Sequence, residues 1–430
     1  MEVSNKQSVY VLSNKGEPLM PCHPALARKL LRKGKAKVKH REPFTIKLLY
    51  DTDPYTKQCT LGIDSGSSII GAAVYCEGKI LYASETEVRN DIKQKMEQRS
   101  ENRRNRRNQK TRYRKKRFDN RRNSKKEDRY PPTVISKVHA HEKVIKEATS
   151  LLPIGEIVIE GGSFDMHLMQ NSDLADQYKK IRGYQQGPQY GYENTKAFIL
   201  ARDGHKCQHC KGQSRDSRLE VHHVIFRSMG GTDIPTNLIT LCSTCHKALH
   251  RGEFAIKPSN KKLSGLAAAS QMNVISSVLF KRYPDAIETY GHITKANRMA
   301  LDLPKEHYID ACVIASGGKA FELVTDRLIK HKCVPKGDRK LRKGKRSEIV
   351  MPTGKVRGFR KFDKVKYLGK TYFVRGRRTV GTCDLMDIDG KVGSFAHMPQ
   401  GMKTPKLSNC QRIGARKSWL TDTARIQAAT

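Results

Sequence analysis

The stretch "TLGIDSGSSIIGAAVYCEGKILYASETEV", Thr60–Val88, decides the fold. Apolar runs of strand length alternate with two short turns, SGSS and CEGK. That pattern predicts three successive strands in an antiparallel meander. The first strand ends on Asp64. Two distant segments set acids in comparable places. "IGEIVIEGG", Ile154–Gly162, reads as an apolar strand ending at Glu160. "HYIDA", His307–Ala311, reads as a helix with His307 and Asp310 at i and i+3, on one face. One acid from each of three segments suits a two-metal site. There carboxylates hold Mg²⁺ or Mn²⁺, and the metals neutralise a phosphate and polarise the attacking water. His307 is the candidate general base.

Between the first two pieces runs "RSENRRNRRNQKTRYRKKRFDNRR", Arg99–Arg122. Thirteen of its 24 residues are Arg or Lys. Charge on every face leaves no stripe to bury, so this is no ordinary core helix. As a helix it would span about 36 Å, roughly one turn of duplex. Arginine pairs bidentately with phosphate. The candidates for nucleic-acid contact are Arg99, Arg103, Arg104, Arg106, Arg107, Arg112, Arg114, Arg117, Arg121 and Arg122.

The whole chain points the same way. Its 430 residues carry 83 Lys+Arg against 42 Asp+Glu, a formal charge of +41. Such a balance self-repels unless a polyanion neutralises it, and nucleic acid is the first candidate. No run of 18 apolar residues and no apolar signal core occur. These predict an intracellular, cytoplasmic protein, associated with the nucleoid through DNA and with no membrane partner. Eleven cysteines, four of them in two C-x-x-C pairs, suggest metal rather than disulfides.

Those pairs lie in "CQHCKGQSRDSRLEVHHVIFRSMGGTDIPTNLITLCSTCHKALH", Cys207–His250. Cys207, Cys210, Cys242 and Cys245 have the spacing of a structural, tetrahedral Zn²⁺ site. Such a site can stabilise a unit too small for its own core. Inside this frame lie His222-His223, Asn237 and His246, which resemble the HNH nuclease motif. The resemblance implies His223 as general base and Asn237 as the residue that holds the loop and orients it. It implies His222 and His246 as ligands of one catalytic Mg²⁺. His250, one helical turn after His246, could face the same site.

The ordered trio of acids resembles the RuvC nuclease, a ribonuclease H-like fold. Ser65 stands where that family often has Pro, and "EGGSFD" departs from its usual residues after the catalytic Glu. A RuvC fold in three pieces, a basic helix after the first and an HNH unit between the second and third resembles IscB. IscB proteins are transposon-associated RNA-guided nucleases, held to be ancestral to CRISPR effectors with split RuvC and HNH domains. "PLMP", Pro18–Pro21, and "GPQYG", Gly187–Gly191, fit the same family.

The resemblance implies an α/β multidomain protein. Its expected parts are an N-terminal PLMP domain (1–55), RuvC segment 1 (56–97) and an arginine-rich bridge helix (98–125). RuvC segment 2 with a linker (126–193) and a zinc-stabilised ββα-metal HNH domain (194–256) follow. RuvC segment 3 (257–335) and a β-rich C-terminal domain (336–430) complete it. The last would read a target-adjacent motif and touch RNA. The implied partners are a structured noncoding guide RNA and double-stranded DNA, bound by a monomer. HNH would cut the guide-paired strand and RuvC the displaced strand. The alternatives are a guide-free homing or restriction-type endonuclease, and a non-catalytic RNA-binding accessory protein.

Overall fold

A computed structural model describes residues 8–52, 56–108, 130–162, 189, 191–226, 233, 235–256, 266–325, 327–335, 339–341, 348–350, 355–400 and 402–426. The chain forms two compact units, Met1–Gly162 with Gln271–Thr430, and Ser163–Ser270.

The first unit opens with β1 (Val9–Leu12), β2 (Pro18–Cys22), α1 (Pro24–Arg32), β3 (Ala36–Arg41) and β4 (Phe44–Leu48). They form a sheet of order β2-β1-β4-β3. The sequence suggests only the two inner strands, and the edges explain why. Strand β2 carries Pro18 and Pro21, which a sheet accepts only at an edge. Strand β3, AKVKHR, buries only Ala36 and has no apolar alternation.

The expected meander forms: β5 (Cys59–Asp64), β6 (Ile69–Cys76) and β7 (Lys79–Glu87) pair antiparallel in succession. Helices α2 (Ile92–Asn108) and α3 (Pro132–Leu151) lead to β8 (Ile154–Gly161), which pairs parallel to β5. In the second unit follow α4 (Thr195–Arg202), β9 (Leu219–His223), β10 (Leu238–Cys242) and α5 (Ser243–His250). Next come α6 (Leu266–Arg282), β11 (Ile287–Tyr290), α7 (Gly291–Ala300), α8 (His307–Ser316), β12 (Glu322–Leu323) and β13 (Arg327–Cys333). The chain finishes with β14 (Arg339–Leu341), β15 (Glu348–Val350), β16 (Lys364–Tyr367), β17 (Lys370–Arg377), β18 (Cys383–Met386), β19 (Gln411–Gly414) and β20 (Trp419–Arg425).

The central sheet has the order β11-β8-β5-β6-β7-β13-β20, with β12 added beside β7. One face packs Leu61, Ile63, Ile70, Ala72 and Val74 against Val144, Ile145 and Ala148 of α3. Each large buried aliphatic here contributes about 1.5–3 kcal/mol. The other face takes α8, through Ala73, Ala83, Ile309, Ala311 and Cys312. Two glycines set how close α8 comes. A Cβ on Gly62 would lie 2.4 Å from Ala311 O, and one on Gly71 would lie 2.1 Å from His307 O. Only a bare backbone allows that approach.

Strands β16–β19 form a separate sheet of order β18-β17-β16-β19 over Val365, Tyr367, Val374, Leu385 and Phe395. Strand β20 leaves that region and pairs antiparallel with β13. A sequence division at residue 336 therefore does not hold for this last strand. Buried Lys364 ties the parts of the first unit together. Its Nζ donates to both Glu42 oxygens, at 2.7 and 2.6 Å, and to Thr421 O at 2.9 Å.

Candidate active sites

Strands β5, β8 and β11 run parallel, so their C-terminal ends share one edge of the sheet. Asp64 is the last residue of β5, and Glu160 is the next to last of β8. Ser65 Oγ donates to the backbone O of Glu160 and joins the two strand ends, which a proline could not do. Helix α8, pressed onto Gly62 and Gly71, brings His307 Nδ1 to 2.7 Å from Asp64 Oδ2. That hydrogen bond is the main reason the His307 imidazole is held above its usual pKa. Burial, then the neighbouring charge of Asp64, raises the Asp310 carboxyl. Burial also raises Glu160, opposed by a hydrogen bond from Thr294 and reinforced by Asp64 and Asp310.

The three acids thus feel one another. They are not gathered as tightly as the clusters below, whose ligand atoms all lie within 4.8 Å of one another. The donor set nevertheless fits divalent cations. Three carboxylates repel one another there, and the buried Asp310 Oδ1 has an ion-pair neighbour, Arg298, but no well-aligned hydrogen bond.

Two residues of this site carry no sequence signal. Thr294 Oγ1 donates to Glu160 Oε2 at 2.7 Å. Arg298 Nε lies 2.9 Å from Asp310 Oδ1, near enough for an ion pair but out of line for a hydrogen bond. Both sit on α7, whose polar and apolar residues have no distinctive spacing.

In the second unit, β9 and β10 pair antiparallel and lead directly into α5. His222, His246 and His250 form a cluster with ligand atoms within 4.8 Å. Their rings meet edge to face, with centroids 5.0, 5.2 and 4.7 Å apart. His250 therefore belongs with the other two, as its i+4 spacing from His246 allowed. Burial, then the other histidines, brings the His222 imidazole down to about 4. His246 Nδ1 lies 2.9 Å from Glu220 Oε2, a partner that fixes the ring and leaves Nε2 for the cluster. Imidazoles gathered this way fit a divalent metal.

His223, the next residue along β9, stands apart from that cluster. Its Nε2 is 2.6 Å from Asp233 Oδ1. Asn237 Oδ1 accepts from Ile225 N at 2.9 Å, and its Nδ2 donates to Ile225 O at 3.1 Å. The side chain thereby fastens the chain just beyond His223. Neither Glu220 nor Asp233 was singled out by sequence, because lone acids near histidines are common.

Cys207, Cys210, Cys242 and Cys245 form the second tight cluster. Ser214 Oγ lies 3.2 Å from Cys210 Sγ and 3.1 Å from Cys242 Sγ. Hydrogen bonding by Ser214 brings the Cys210 thiol down to about 5. Cys245 N donates to Cys242 Sγ at 3.4 Å. Four soft sulfurs with one readily ionised thiol fit a tetrahedral metal.

Of the basic candidates, Arg99, Arg103 and Arg104 are exposed on α2. Ile92 anchors the start of that helix, and no side chain from Lys93 to Asn105 is buried. Arg106 and Arg107 continue the same helix. Arg112, Arg114, Arg117, Arg121 and Arg122 lie outside the described residues.

The RRXRR protein family model matches residues 9–187, and the HNH endonuclease model matches residues 207–252. An RRXRR region followed by an HNH endonuclease domain supports an IscB-like chain. Over 62 residues the chain is 39% identical to the type IV methyl-directed restriction enzyme EcoKMcrA of Escherichia coli (strain K12). That match covers 13% of this chain and 22% of the enzyme. Over 67 residues it is 34% identical to Anaredoxin of Nostoc sp. (strain PCC 7120 / SAG 25.82 / UTEX 2576), covering 15% and 86%. Two crystal structures of Streptococcus thermophilus Cas9, with AGAA and GGAA PAMs, are 14% and 15% identical. Their TM-scores are 0.30 and 0.31, with 57% of this chain and 32% of theirs covered. The IscB-like chain thus spans about a fifth of the E. coli enzyme and a third of Cas9. No described helix is long and apolar enough to cross a membrane.

Proposed function

We infer that this IscB-like protein is an RNA-guided DNA endonuclease with two separate nuclease centres. One observation carries the reading. A single sheet assembled from distant pieces gathers acids at one edge, and the HNH unit interrupts the chain between the second piece and the third. In this reading the sheet with α3 and α8 is a split RuvC, ribonuclease H-like fold, to which the last strand, β20, also belongs. Base pairing of a guide selects the target, which frees a small HNH unit from reading sequence itself. The basic helix from residue 98 onward lies along the RNA or the heteroduplex, whose phosphates supply the partner its polar faces lack.

The RuvC centre cuts the displaced strand. Asp64, Glu160 and Asp310 hold Mg²⁺ or Mn²⁺ there, and His307 takes the proton of the attacking water. The HNH centre cuts the guide-paired strand. His222, His246 and His250 hold one Mg²⁺, and His223 is the base. At both centres a bound cation would neutralise the scissile phosphate and acidify the water. Asn237 keeps His223 in line by fixing the backbone beyond it. The four cysteines hold a structural Zn²⁺ that keeps β9, β10 and α5 in register.

The test is to express the chain with its natural flanking DNA, purify it through high salt and sequence the bound nucleic acid. A single discrete RNA with one variable end supports guided action. Random host RNA would overturn it in favour of a guide-free HNH endonuclease.

A further inference from the structure

We propose that α7 is a clamp on the carboxylate site, with Thr294 and Arg298 as positioning residues that act in opposite directions on metal binding. The proposal deepens the RuvC reading and rests on it. Strand β11 runs parallel to β8 with Thr289 beside Glu160, and it turns into α7 with no intervening loop. That junction brings the first turn of α7 against Glu160. A Cβ on Gly291 would sit 3.0 Å from Glu160 Oε1. Thr294, only 4% exposed, gives its hydroxyl hydrogen to Glu160 Oε2. One turn later, on the same face, Arg298 meets Asp310. The two side chains thus hold two acids that arise about 150 residues apart in the sequence.

Their chemistry differs. Thr294 is neutral. It fixes the rotamer of Glu160 and leaves the carboxylate charge, and one oxygen, for a cation. Without that bond a half-buried carboxylate would turn freely, and a metal would have to order it on binding. Arg298 is a permanent cation with its side chain 11% exposed, against 13% for Asp310. It neutralises the repelling acids until a divalent ion arrives. Nη1 donates to Leu303 O at 3.0 Å, in the turn between α7 and α8, so the guanidinium is held where it is. A fixed cation beside a ligand oxygen opposes a divalent ion at that oxygen. Arg298 therefore weakens metal binding while keeping the site assembled without metal.

Mn²⁺ binding to the full chain, with zinc in place, separates these roles. The sites that disappear in Asp64→Ala define the carboxylate centre. At those sites Thr294→Val should bind Mn²⁺ about tenfold more weakly, and Thr294→Ser should bind as the wild type does. Arg298→Gln should bind more tightly, also by about tenfold, while Arg298→Lys stays near wild type. Thermal unfolding of each variant identifies any that fail to fold. General damage cannot produce opposite signs at two residues one turn apart. Equal binding by Thr294→Val and Thr294→Ser would overturn the clamp. Weaker binding by a folded Arg298→Gln would also overturn it, since Arg298 would then be a brace. Equal binding by wild type and Asp64→Ala would overturn the metal reading of the site, and the clamp with it.

Discussion

The histidine unit and the carboxylate site both gather side chains able to bind metal, but by opposite routes. The histidines and cysteines come from one stretch, Cys207–His250, and a pair of short strands with one helix suffices to join them. Asp64, Glu160 and Asp310 come from residues 64 to 310 and meet only because a large sheet closes first. On the proposed reading a local site depends on its metal, since little else holds it. A distributed site depends on the packing behind it. The two should therefore fail for different reasons.

The largest contrast is expected at the cysteines. A structural zinc in a small unit is worth about 10–16 kcal/mol. Cys242→Ser, or strong chelation, should abolish amide protection between residues 195 and 256 and leave β5–β8 protected. Hydrogen exchange reads both regions in one sample. Retained protection around β9 and β10 would show that the unit does not need a metal.

The reverse experiment is Gly71→Ala. Its Cβ would meet His307 O at 2.1 Å, and the helix has to move. Overpacking of this kind costs about 1–3 kcal/mol. The urea midpoint of the first unit should fall, the His307–Asp64 hydrogen bond should break, and exchange in the second unit should not change. An unaltered midpoint would mean that α8 is not held by close approach.

Asn237→Ala tests precision within the local site. It removes both hydrogen bonds to Ile225 without touching a metal ligand. Cleavage by the HNH centre should drop about 10–100-fold in a protein that still binds zinc and melts normally. A rate equal to wild type would remove Asn237 from the mechanism.

The smallest effect is a pH dependence of the packing behind the distributed site. His141 and His331 are fully buried, and burial brings them down to about 4 and about 3 from the usual 6.5. Below about pH 6.5 the unfolded chain takes up these protons and the folded chain does not, so stability falls on acidification. Burial pushes Glu147 up to about 7 from 4.5, which acts the other way between those values and offsets one histidine. Between pH 6.5 and 4.5 these three groups together contribute a slope of about one proton, near 1.4 kcal/mol per pH unit. His331→Asn should flatten it in urea titrations, and an unchanged slope would contradict the assignment.

What could be read from sequence follows from the same contrast. The Cys and His spacings are short, so a linear pattern contains the site, His250 included, and only Glu220 and Asp233 needed coordinates. In the sheet, the meander announced itself through tight turns and apolar runs. Asp64, Glu160, His307 and Asp310 were legible as strand-end and helix-face residues. Thr294 and Arg298 were not, because their role comes from β11 lying beside β8, a pairing across more than 120 residues. The edge strands β2 and β3 were hidden by prolines and charge. Strand β20 was hidden because its partner β13 lies before the whole C-terminal sheet.

Strand-specific cleavage tests the central claim, two independent nuclease centres in one chain. Wild type, Asp64→Ala and His223→Ala are assembled with the co-purified RNA and given a duplex with a different label on each strand. The account predicts that wild type cuts both strands. Asp64→Ala should cut only the strand paired to the guide, and His223→Ala only the displaced strand. Each lost cut should be reduced by at least about 1000-fold, or 4 kcal/mol. Full double-strand breaks by either single variant would contradict it.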